Sequence, residues 1–289
     1  MTFRLGLAQC THPADGDVVA LVERCARDAQ AAGVDLLAFP ECLMTPFEKT
    51  REDFLASAEP LDGAFARKMS RIAAAHGLWM IYTMNERADG VDAGEAPAGG
   101  ETAEAAAHGN APEAAGAHLP YNTAVVVDSA GARRGFYRKT HLFDAGDCRE
   151  SERMAAGGRL FDPIDTPFCK LGLAICYDLR FPEVMRAAAC AGCELFVLPA
   201  AWVDGPRKAD QWAALLTARA VENEMYVAGL SRADERCIGC SRVVDPFGTT
   251  VAEAPGKAPL LLTADIDLTR VRAAREAVPV LEHRRPSLY

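Results

Sequence analysis

The sequence lacks a long uncharged apolar stretch and lacks a cluster of basic residues. Asp, Glu, Lys or Arg interrupts every hydrophobic run before it reaches the length of about 20 residues that a membrane-spanning helix needs. Acidic residues outnumber basic ones by 40 to 31, and the net charge is −9. Because a phosphate backbone is bound mainly by Lys and Arg, we expect neither a nucleic-acid partner nor a membrane partner.

We expect that the beginning of this sequence is not a signal peptide. The segment Thr2–Cys10 alternates like a core strand, and it has no basic start, long apolar run or small-residue cleavage site. We therefore expect a cytoplasmic protein, whose 10 cysteines are mostly reduced, small buried side chains. The pairs Cys190/Cys193 and Cys237/Cys240 have a spacing that zinc sites use. The first pair, however, falls where an Ala-rich helix gives way to a strand, which disfavours zinc.

No spacing of His, Asp and Glu resembles a metal site, and no glycine-rich phosphate loop follows a strand, so we expect no cofactor. Half of the residues are apolar, which is enough for one large domain over residues 1–289. Residues 88–118 differ, because they are almost wholly Ala, Gly, Glu, Pro and Asp and cannot bury a core face. We predict that they form a surface insertion between two strands, either a solvated loop or a lid over the substrate.

The remaining segments alternate between strand and helix patterns. A strand over Arg4–Cys10, a helix opened by Asp17 and a strand over Asp35–Glu41 form a βαβ beginning. Further strands and helices are predicted at about 64–76, 78–84, 122–127, 171–176, 182 onward, 194–199, 209–223, 226–231, 242–245 and 260–265. This order predicts an α/β layered fold with the helices packed outside.

Three side chains break the apolar pattern at the ends of predicted strands. Cys176 ends one strand and precedes a helix whose Pro182 suits a first-turn position. A thiol near a helix N-terminus is favoured as the thiolate, whereas the alternative is a buried structural cysteine. Glu41 and Lys139 each follow another apolar strand. Because ligands gather at the carboxyl ends of strands in an open α/β sheet, we expect these three side chains to converge there.

The sequence around these residues resembles the nitrilase superfamily of carbon–nitrogen hydrolases. The resemblance runs from Phe3 to Tyr289, apart from the Ala/Gly-rich insertion, and is strongest to the Nit branch of ω-amidases and deaminated-glutathione amidases. The motifs that carry it are Tyr137-Arg-Lys-Thr-His-Leu-Phe-Asp144, Cys176-Tyr-Asp-Leu-Arg-Phe-Pro-Glu183, Ala218-Arg-Ala-Val-Glu-Asn223 and His283-Arg-Arg-Pro-Ser-Leu-Tyr289. The resemblance implies a four-layer αββα sandwich that assembles as a homodimer or a larger homo-oligomer.

The resemblance also implies roles for individual residues. Cys176 is the nucleophile, Glu41 the general base and Lys139 the group that stabilises the oxyanion, together with the backbone N–H of Tyr177. A second family glutamate falls on Glu150, in a loop shorter than expected. The implied reaction cleaves an amide through a cysteinyl thioester and releases ammonia. The residues Tyr-Asp-Leu-Arg after the cysteine differ from those of related nitrilases and carbamoylases and favour amides over nitriles.

Substrate recognition is less constrained by the sequence. Arg180 and Tyr177 are candidates for binding a substrate carboxylate, since Arg offers a fork of donors. The alternative for Arg180 is an ion pair with Asp178 or Glu183. Trp202 follows a strand and either lines the pocket or belongs to the core.

His141 offers a rival mechanism, because it lies close to Lys139 in the sequence and a Cys–His pair is a common nucleophile and base. Its neighbours instead predict a packing role at a strand end. The favoured function is hydrolysis of a small carboxylate-bearing amide. The alternatives are a nitrilase, an N-carbamoyl amidohydrolase or a binding protein with little turnover, and the presence of Glu41, Lys139 and Cys176 together argues against the last.

Overall fold

The computed structural model describes residues 1–87 and 119–288, which form two six-stranded sheets and a two-stranded ribbon with helices on the outside. The elements in chain order are β1 (Thr2–Gln9), α1 (Val18–Ala31), β2 (Leu36–Ala38), α2 (Arg51–Ser57), α3 (Ala64–His76), β3 (Trp79–Glu86), β4 (Tyr121–Val127), β5 (Arg133–Arg138), β6 (Asp144–Ala145), β7 (Cys148–Arg149), β8 (Ile164–Asp165), β9 (Lys170–Leu173), α4 (Pro182–Cys190), β10 (Leu195–Ala200), α5 (Lys208–Asn223), β11 (Tyr226–Ser231), β12 (Arg242–Val244), β13 (Thr250–Glu253), β14 (Leu260–Asp267) and α6 (Thr269–Ala277). The predicted insertion at 88–118 lies outside the described residues.

The first sheet has the strand order β14-β1-β2-β3-β4-β5, and its inner strands β2, β3 and β4 are buried on both faces. Along β3, Trp79 and Ile81 belong to one core cluster, whereas Met80 and Tyr82 belong to another. This period of two sends successive side chains to opposite faces of the sheet. The second cluster also contains side chains of α1 and α3, so these helices cover the outer face.

The second sheet has the strand order β13-β12-β11-β10-β9-β8. Its strands share a core with the inner face of the first sheet, where Leu5 and Leu7 meet Leu171 and Val197. Helix α5 lies directly on β11, because a Cβ at Gly229 would come within 2.6 Å of the side chains of α5. The layers are therefore helix, sheet, sheet and helix, and the predicted αββα sandwich is confirmed.

Local signals explain several element boundaries. The carboxylate of Asp17 accepts a hydrogen bond from the N–H of Ala20 at 2.9 Å, so the helix predicted to open at Asp17 is confirmed. Helix α3 ends at Gly77, whose φ of 66° closes the last turn in the left-handed region. The short helix α2 was not predicted, although Thr50 and Asp53 form a capping box at its start.

The strands that lead into the candidate site are shorter than predicted. Strand β2 ends at Ala38 and strand β9 ends at Leu173, because the chain then leaves each sheet in a tight turn. Strands β1, β2 and β3 run parallel, and so do β9, β10 and β11. Their carboxyl ends therefore lie at one edge of each sheet, and the turns after β2 and β9 carry Glu41 and Cys176.

All 10 cysteines are free thiols. Cys190 is exposed whereas Cys193 and Cys237 are buried. Over residues 1–87 and 119–288, no group of three or more His, Cys, Asp or Glu side chains is arranged to hold a metal ion. Within the same residues, no helix combines the length and the apolar character needed to cross a bilayer.

Candidate active site

Cys176 begins a 3₁₀ turn that follows β9 and precedes α4. Its φ is 50°, a left-handed conformation that costs a residue with a side chain about 1–3 kcal/mol. The fully buried Asp178 holds this turn, because its Oδ2 accepts hydrogen bonds from the N–H of Ile175 at 2.9 Å and from the hydroxyl of Tyr137 at 2.8 Å. The turn places the thiol at the end of the strand, as the sequence predicted.

The carboxylate of Glu41 accepts hydrogen bonds from several donors. Its Oε1 accepts hydrogen bonds from Nζ of Lys139 at 2.8 Å and from Nδ2 of Asn122 at 2.8 Å. Its Oε2 accepts a hydrogen bond from the N–H of Ala201 at 2.7 Å. The thiol of Cys176 lines the same cavity as this carboxylate, which raises the pKa of the thiol. Glu41 is only 1% exposed, so these protein groups replace water around its charge.

Lys139 lies between two buried carboxylates. Its Nζ contacts Glu41 at 2.8 Å and the two oxygens of Glu150 at 2.7 Å and 3.0 Å. Oε2 of Glu150 also accepts a hydrogen bond from the N–H of Phe143 at 2.7 Å, which orients it. Burial alone would lower the pKa of Lys139, but Glu150 and Glu41 outweigh burial and raise this pKa well above its ordinary value. The side chain is therefore a cation at neutral pH.

The thiol of Cys176 is protonated in this arrangement. Burial raises the pKa of Cys176 well above its ordinary value, and the carboxylate of Glu41 raises it further. Lys139 acts in the opposite direction but does not compensate. The sequence predicted that a helix N-terminus would favour the thiolate, whereas burial and the carboxylate of Glu41 both favour the thiol. The site holds a thiol that is paired with a base.

These groups face one cavity that opens to solvent. Of the residues that the sequence singled out for the site, Glu150 and His141 do not line this cavity, and Glu150 lies behind Lys139. The lining residues are Glu41, Phe47, Lys139, Phe143, Cys176, Tyr177, Arg180, Ala201, Trp202, Val203 and Lys208.

The structure resolves the alternatives for Arg180 and Trp202. The guanidinium of Arg180 lies 4.8 Å from the ring centroid of Trp202 and donates a hydrogen bond to Gln211 at 2.8 Å. The ion pair proposed with Asp178 or Glu183 is not formed within the described residues, because Arg180 points into the cavity and Asp178 is engaged elsewhere. Trp202 is both core and cavity wall, since it is 4% exposed and belongs to the main core cluster.

His141 lies behind the nucleophile turn. Its Nδ1 is 2.7 Å from Oδ1 of Asp178, and its ring stacks on Phe181 with a centroid distance of 3.7 Å. It is absent from the cavity lining formed by the described residues. The geometry thus favours the packing role over the Cys–His mechanism, with His141 helping to hold the turn that carries Cys176.

Two polar residues of the site were not identified from the sequence. Asn122 is a buried amide at the start of β4. In the sequence it stands out only as a polar residue beside an apolar strand. Lys208 is the first residue of α5 and lines the cavity. A lysine at a helix start is usually solvated, so nothing in the local sequence distinguishes Lys208.

Comparisons with known proteins agree with this geometry. A deaminated glutathione amidase of Escherichia coli O157:H7 is 34% identical over 89% of this chain and 88% of that protein. An omega-amidase of Mus musculus is 33% identical over 100% of this chain and 97% of that protein. A solved mutant of the amidase from Nesterenkonia sp. AN1, which shows Michael addition of acrylamide at its active-site cysteine, is 25% identical with a TM-score of 0.77, covering 99% of this chain and 98% of that one. Since residues 4–276 also match the family described as carbon-nitrogen hydrolase, the protein belongs to the carbon-nitrogen hydrolase family.

Proposed function

We propose that this enzyme hydrolyses the amide of a small carboxylate-bearing molecule through a thioester on Cys176 and releases ammonia. The observation that carries the proposal is that the buried Cys176 and Glu41 line one cavity, with the Glu41 carboxylate held by the Lys139 ammonium at 2.8 Å. Relatives named deaminated glutathione amidase and omega-amidase support an amide as the substrate.

The first half of the reaction forms the thioester. Glu41 takes the proton of Cys176 as the sulfur attacks the carbonyl carbon, because the raised pKa of the thiol prevents earlier ionisation. Protonation of Glu41 weakens its hydrogen bond with the ammonium of Lys139. One N–H of Lys139 can then be donated to the oxyanion. The N–H of Tyr177 is the second donor, because the first N–H groups of a helical turn have no acceptor within it.

The second half of the reaction restores the enzyme. Glu41 returns the proton to the nitrogen as the tetrahedral intermediate collapses, and ammonia leaves while the acyl group stays on Cys176. Glu41 then removes a proton from water, which attacks the thioester, and the proton finally returns to the sulfur as the acid departs. Glu150 keeps Lys139 charged and oriented throughout, because two of the three contacts of Nζ are made to it.

A substrate panel tests this proposal. Ammonia release is measured with short amides that carry a carboxylate, with nitriles and with N-carbamoyl compounds. With deaminated glutathione the released dipeptide, cysteinylglycine, is measured instead, because the leaving nitrogen belongs to that dipeptide. We expect turnover of amides, together with an acyl adduct on Cys176 that intact-protein mass spectrometry detects after an acid quench. Cys176→Ala should abolish both signals and leave the circular dichroism spectrum unchanged. Turnover of nitriles or N-carbamoyl compounds alone would replace the proposal by the corresponding reaction, and silence of the whole panel would favour a binding protein.

The assembly and the location of the enzyme are separate proposals. We infer a homodimer or larger homo-oligomer, a single domain over residues 1–289 and a cytoplasmic location, all from the family resemblance and the sequence composition. Light scattering on the purified protein measures its mass directly, and the mass of one chain would contradict the oligomer.

A further inference from the structure

Glu41, the proposed base, lies in a turn with an unfavourable backbone conformation. The next residue, Cys42, has a φ of 57°, in the left-handed region that a residue with a side chain rarely adopts. Such a conformation persists only where the surrounding groups hold it in place. The position of the Glu41 carboxylate therefore depends on the side chains that hold this turn.

The hydroxyl of Thr83 holds the turn from the first sheet. Thr83 lies on β3 and is 1% exposed. Its Oγ1 donates a hydrogen bond to the carbonyl of Pro40 at 2.9 Å and accepts one from the N–H of Leu43 at 3.1 Å. One hydroxyl thus satisfies the buried backbone groups on both sides of Glu41.

The guanidinium of Arg232 holds the same turn from the second sheet. Arg232 directly follows β11 and is 4% exposed. Its Nη1 donates a hydrogen bond to the carbonyl of Cys42 at 3.0 Å, and its Nε donates to Oδ2 of Asp234 at 2.8 Å. Because the guanidinium is planar, the contact with Asp234 fixes the direction in which Nη1 points.

Glu41 and Cys176 come from different sheets. Glu41 follows β2 of the first sheet, whereas Cys176 follows β9 of the second. The backbone N–H of Arg232 donates to the carbonyl of Ala200 at 3.1 Å, and the N–H of the next residue, Ala201, donates to Oε2 of Glu41 at 2.7 Å. Arg232 therefore ties the turn that carries the base to the sheet that carries the nucleophile.

We propose that Thr83 and Arg232 are positioning residues that set the distance between the carboxylate of Glu41 and the thiol of Cys176. Neither belongs to the described residues that line the cavity, so both act through Glu41. The inference rests on the proposed function, because it takes Glu41 as the group that removes the thiol proton. Loss of either contact should slow the attack of the thiol and leave substrate binding nearly unchanged.

Thr83→Val tests the hydroxyl, because Val has nearly the shape of Thr and cannot form either hydrogen bond. For the amide that the substrate panel identifies, kcat should fall up to about 100-fold, the loss that a displacement of about 1 Å can cause, while KM changes little. Thr83→Ser keeps the hydroxyl and should restore most of the rate. The matched control is Thr123→Val, which removes a buried hydroxyl on β4 that donates to Glu86 at 2.7 Å and should leave kcat nearly unchanged.

Arg232→Lys and Arg232→Met test the second contact, and they serve as the test if Thr83→Val does not fold. Lys keeps the charge, but its single ammonium cannot reproduce the fork that binds Cys42 and Asp234 together. We expect kcat to fall in both variants, more in Arg232→Met, again with little change in KM. A higher KM with an unchanged kcat would overturn the inference, because it would indicate a role in substrate binding.

A titration of the thiol separates positioning from a merely structural role and needs no turnover. The ultraviolet absorbance of the thiolate is followed against pH in each protein, with its Cys176→Ala counterpart subtracted. The carboxylate of Glu41 raises the pKa of Cys176, so this pKa should fall in Glu41→Gln and also in Thr83→Val. Lys139 and Glu150, the other charges that act on the thiol, are present in every protein compared. In the Glu41→Gln background, Thr83→Val should have no further effect, since a residue that acts through Glu41 needs its carboxylate.

Two outcomes of the titration overturn the inference. The first is a pKa of Cys176 that falls in Glu41→Gln and stays unchanged in Thr83→Val. The second is a fall of the same size when Thr83→Val is added to Glu41→Gln, because that would indicate a general loosening of the structure. If the titration gives the expected pattern and no amide is hydrolysed, the proposed function fails and the positioning role stands.

Discussion

The Oε1 atom of Glu41 lies 2.8 Å from Nζ of Lys139, although the two residues are 98 positions apart in the chain. Both are 1% exposed, and the second carboxylate on Lys139, that of Glu150, comes from yet another loop. This contact gives the base a fixed orientation and keeps the ammonium charged. It also ties the protonation of Glu41 to the availability of Lys139, so that proton transfer and oxyanion stabilisation occur together.

The raised pKa of Cys176 predicts a pH dependence of stability. The folded protein keeps the thiol proton at pH values where the unfolded chain, with an ordinary pKa near 9, has lost it. The unfolded state then binds fewer protons, so stability falls as the pH rises above 9, by about 1.4 kcal/mol per pH unit for this group. Urea unfolding between pH 8 and 10 should show a steeper loss for the wild type than for Cys176→Ala. Parallel curves would mean that the thiol ionises normally in the folded state.

Glu41→Gln should lower kcat by at least about 100-fold, because an amide cannot accept the thiol proton. Steady-state ammonia release measures the effect. The comparison variant is His141→Ala, which removes the contact with Asp178 and should reduce kcat by less than about 10-fold, the size of one hydrogen bond. A near-normal rate in Glu41→Gln, or a collapse in His141→Ala, would restore the Cys–His mechanism.

Asn122→Leu should lower kcat about 10-fold, because it removes a 2.8 Å hydrogen bond to the charged oxygen of Glu41 that also contacts Lys139. The matched control is Asn85→Leu, which removes a buried amide on β3 that donates to Thr45 and Ser57 instead. Both variants should lose stability in thermal unfolding. A rate loss of the same size in Asn85→Leu would show that the effect comes from packing.

Lys139→Met should destabilise the fold by about 3–5 kcal/mol, because it leaves the carboxylates of Glu41 and Glu150 buried without their cation. Adding Glu150→Gln should recover part of this loss, since one of the two negative charges is removed. Urea unfolding of the two single variants and the double variant gives the coupling free energy. If the losses of unfolding free energy in the two single variants simply add up in the double variant, the direct contact between Lys139 and Glu150 is contradicted. Activity should stay absent in Lys139→Met and in the double variant.

Much of the fold was predictable from local patterns. The alternation along β3 and the cap at Asp17 depend on neighbouring residues, so they are visible in the sequence. The common edge was predictable because parallel strands end together, and Glu41, Lys139 and Cys176 each follow a strand. Helix α2 was missed because seven residues carry too little periodicity, and β8 because it has only two residues.

The sequence by itself determined the layered α/β architecture, the family and the thiol, carboxylates and ammonium of Cys176, Glu41, Glu150 and Lys139 that meet at the site. Only the tertiary structure decided that the thiol of Cys176 is neutral, that Arg180 stacks on Trp202, and that Asn122 and Lys208 belong to the site. The physical reason is that periodicity and strand ends are local properties of the chain. A pKa, a hydrogen bond or an unpaired charge depends instead on distant residues that share one buried environment.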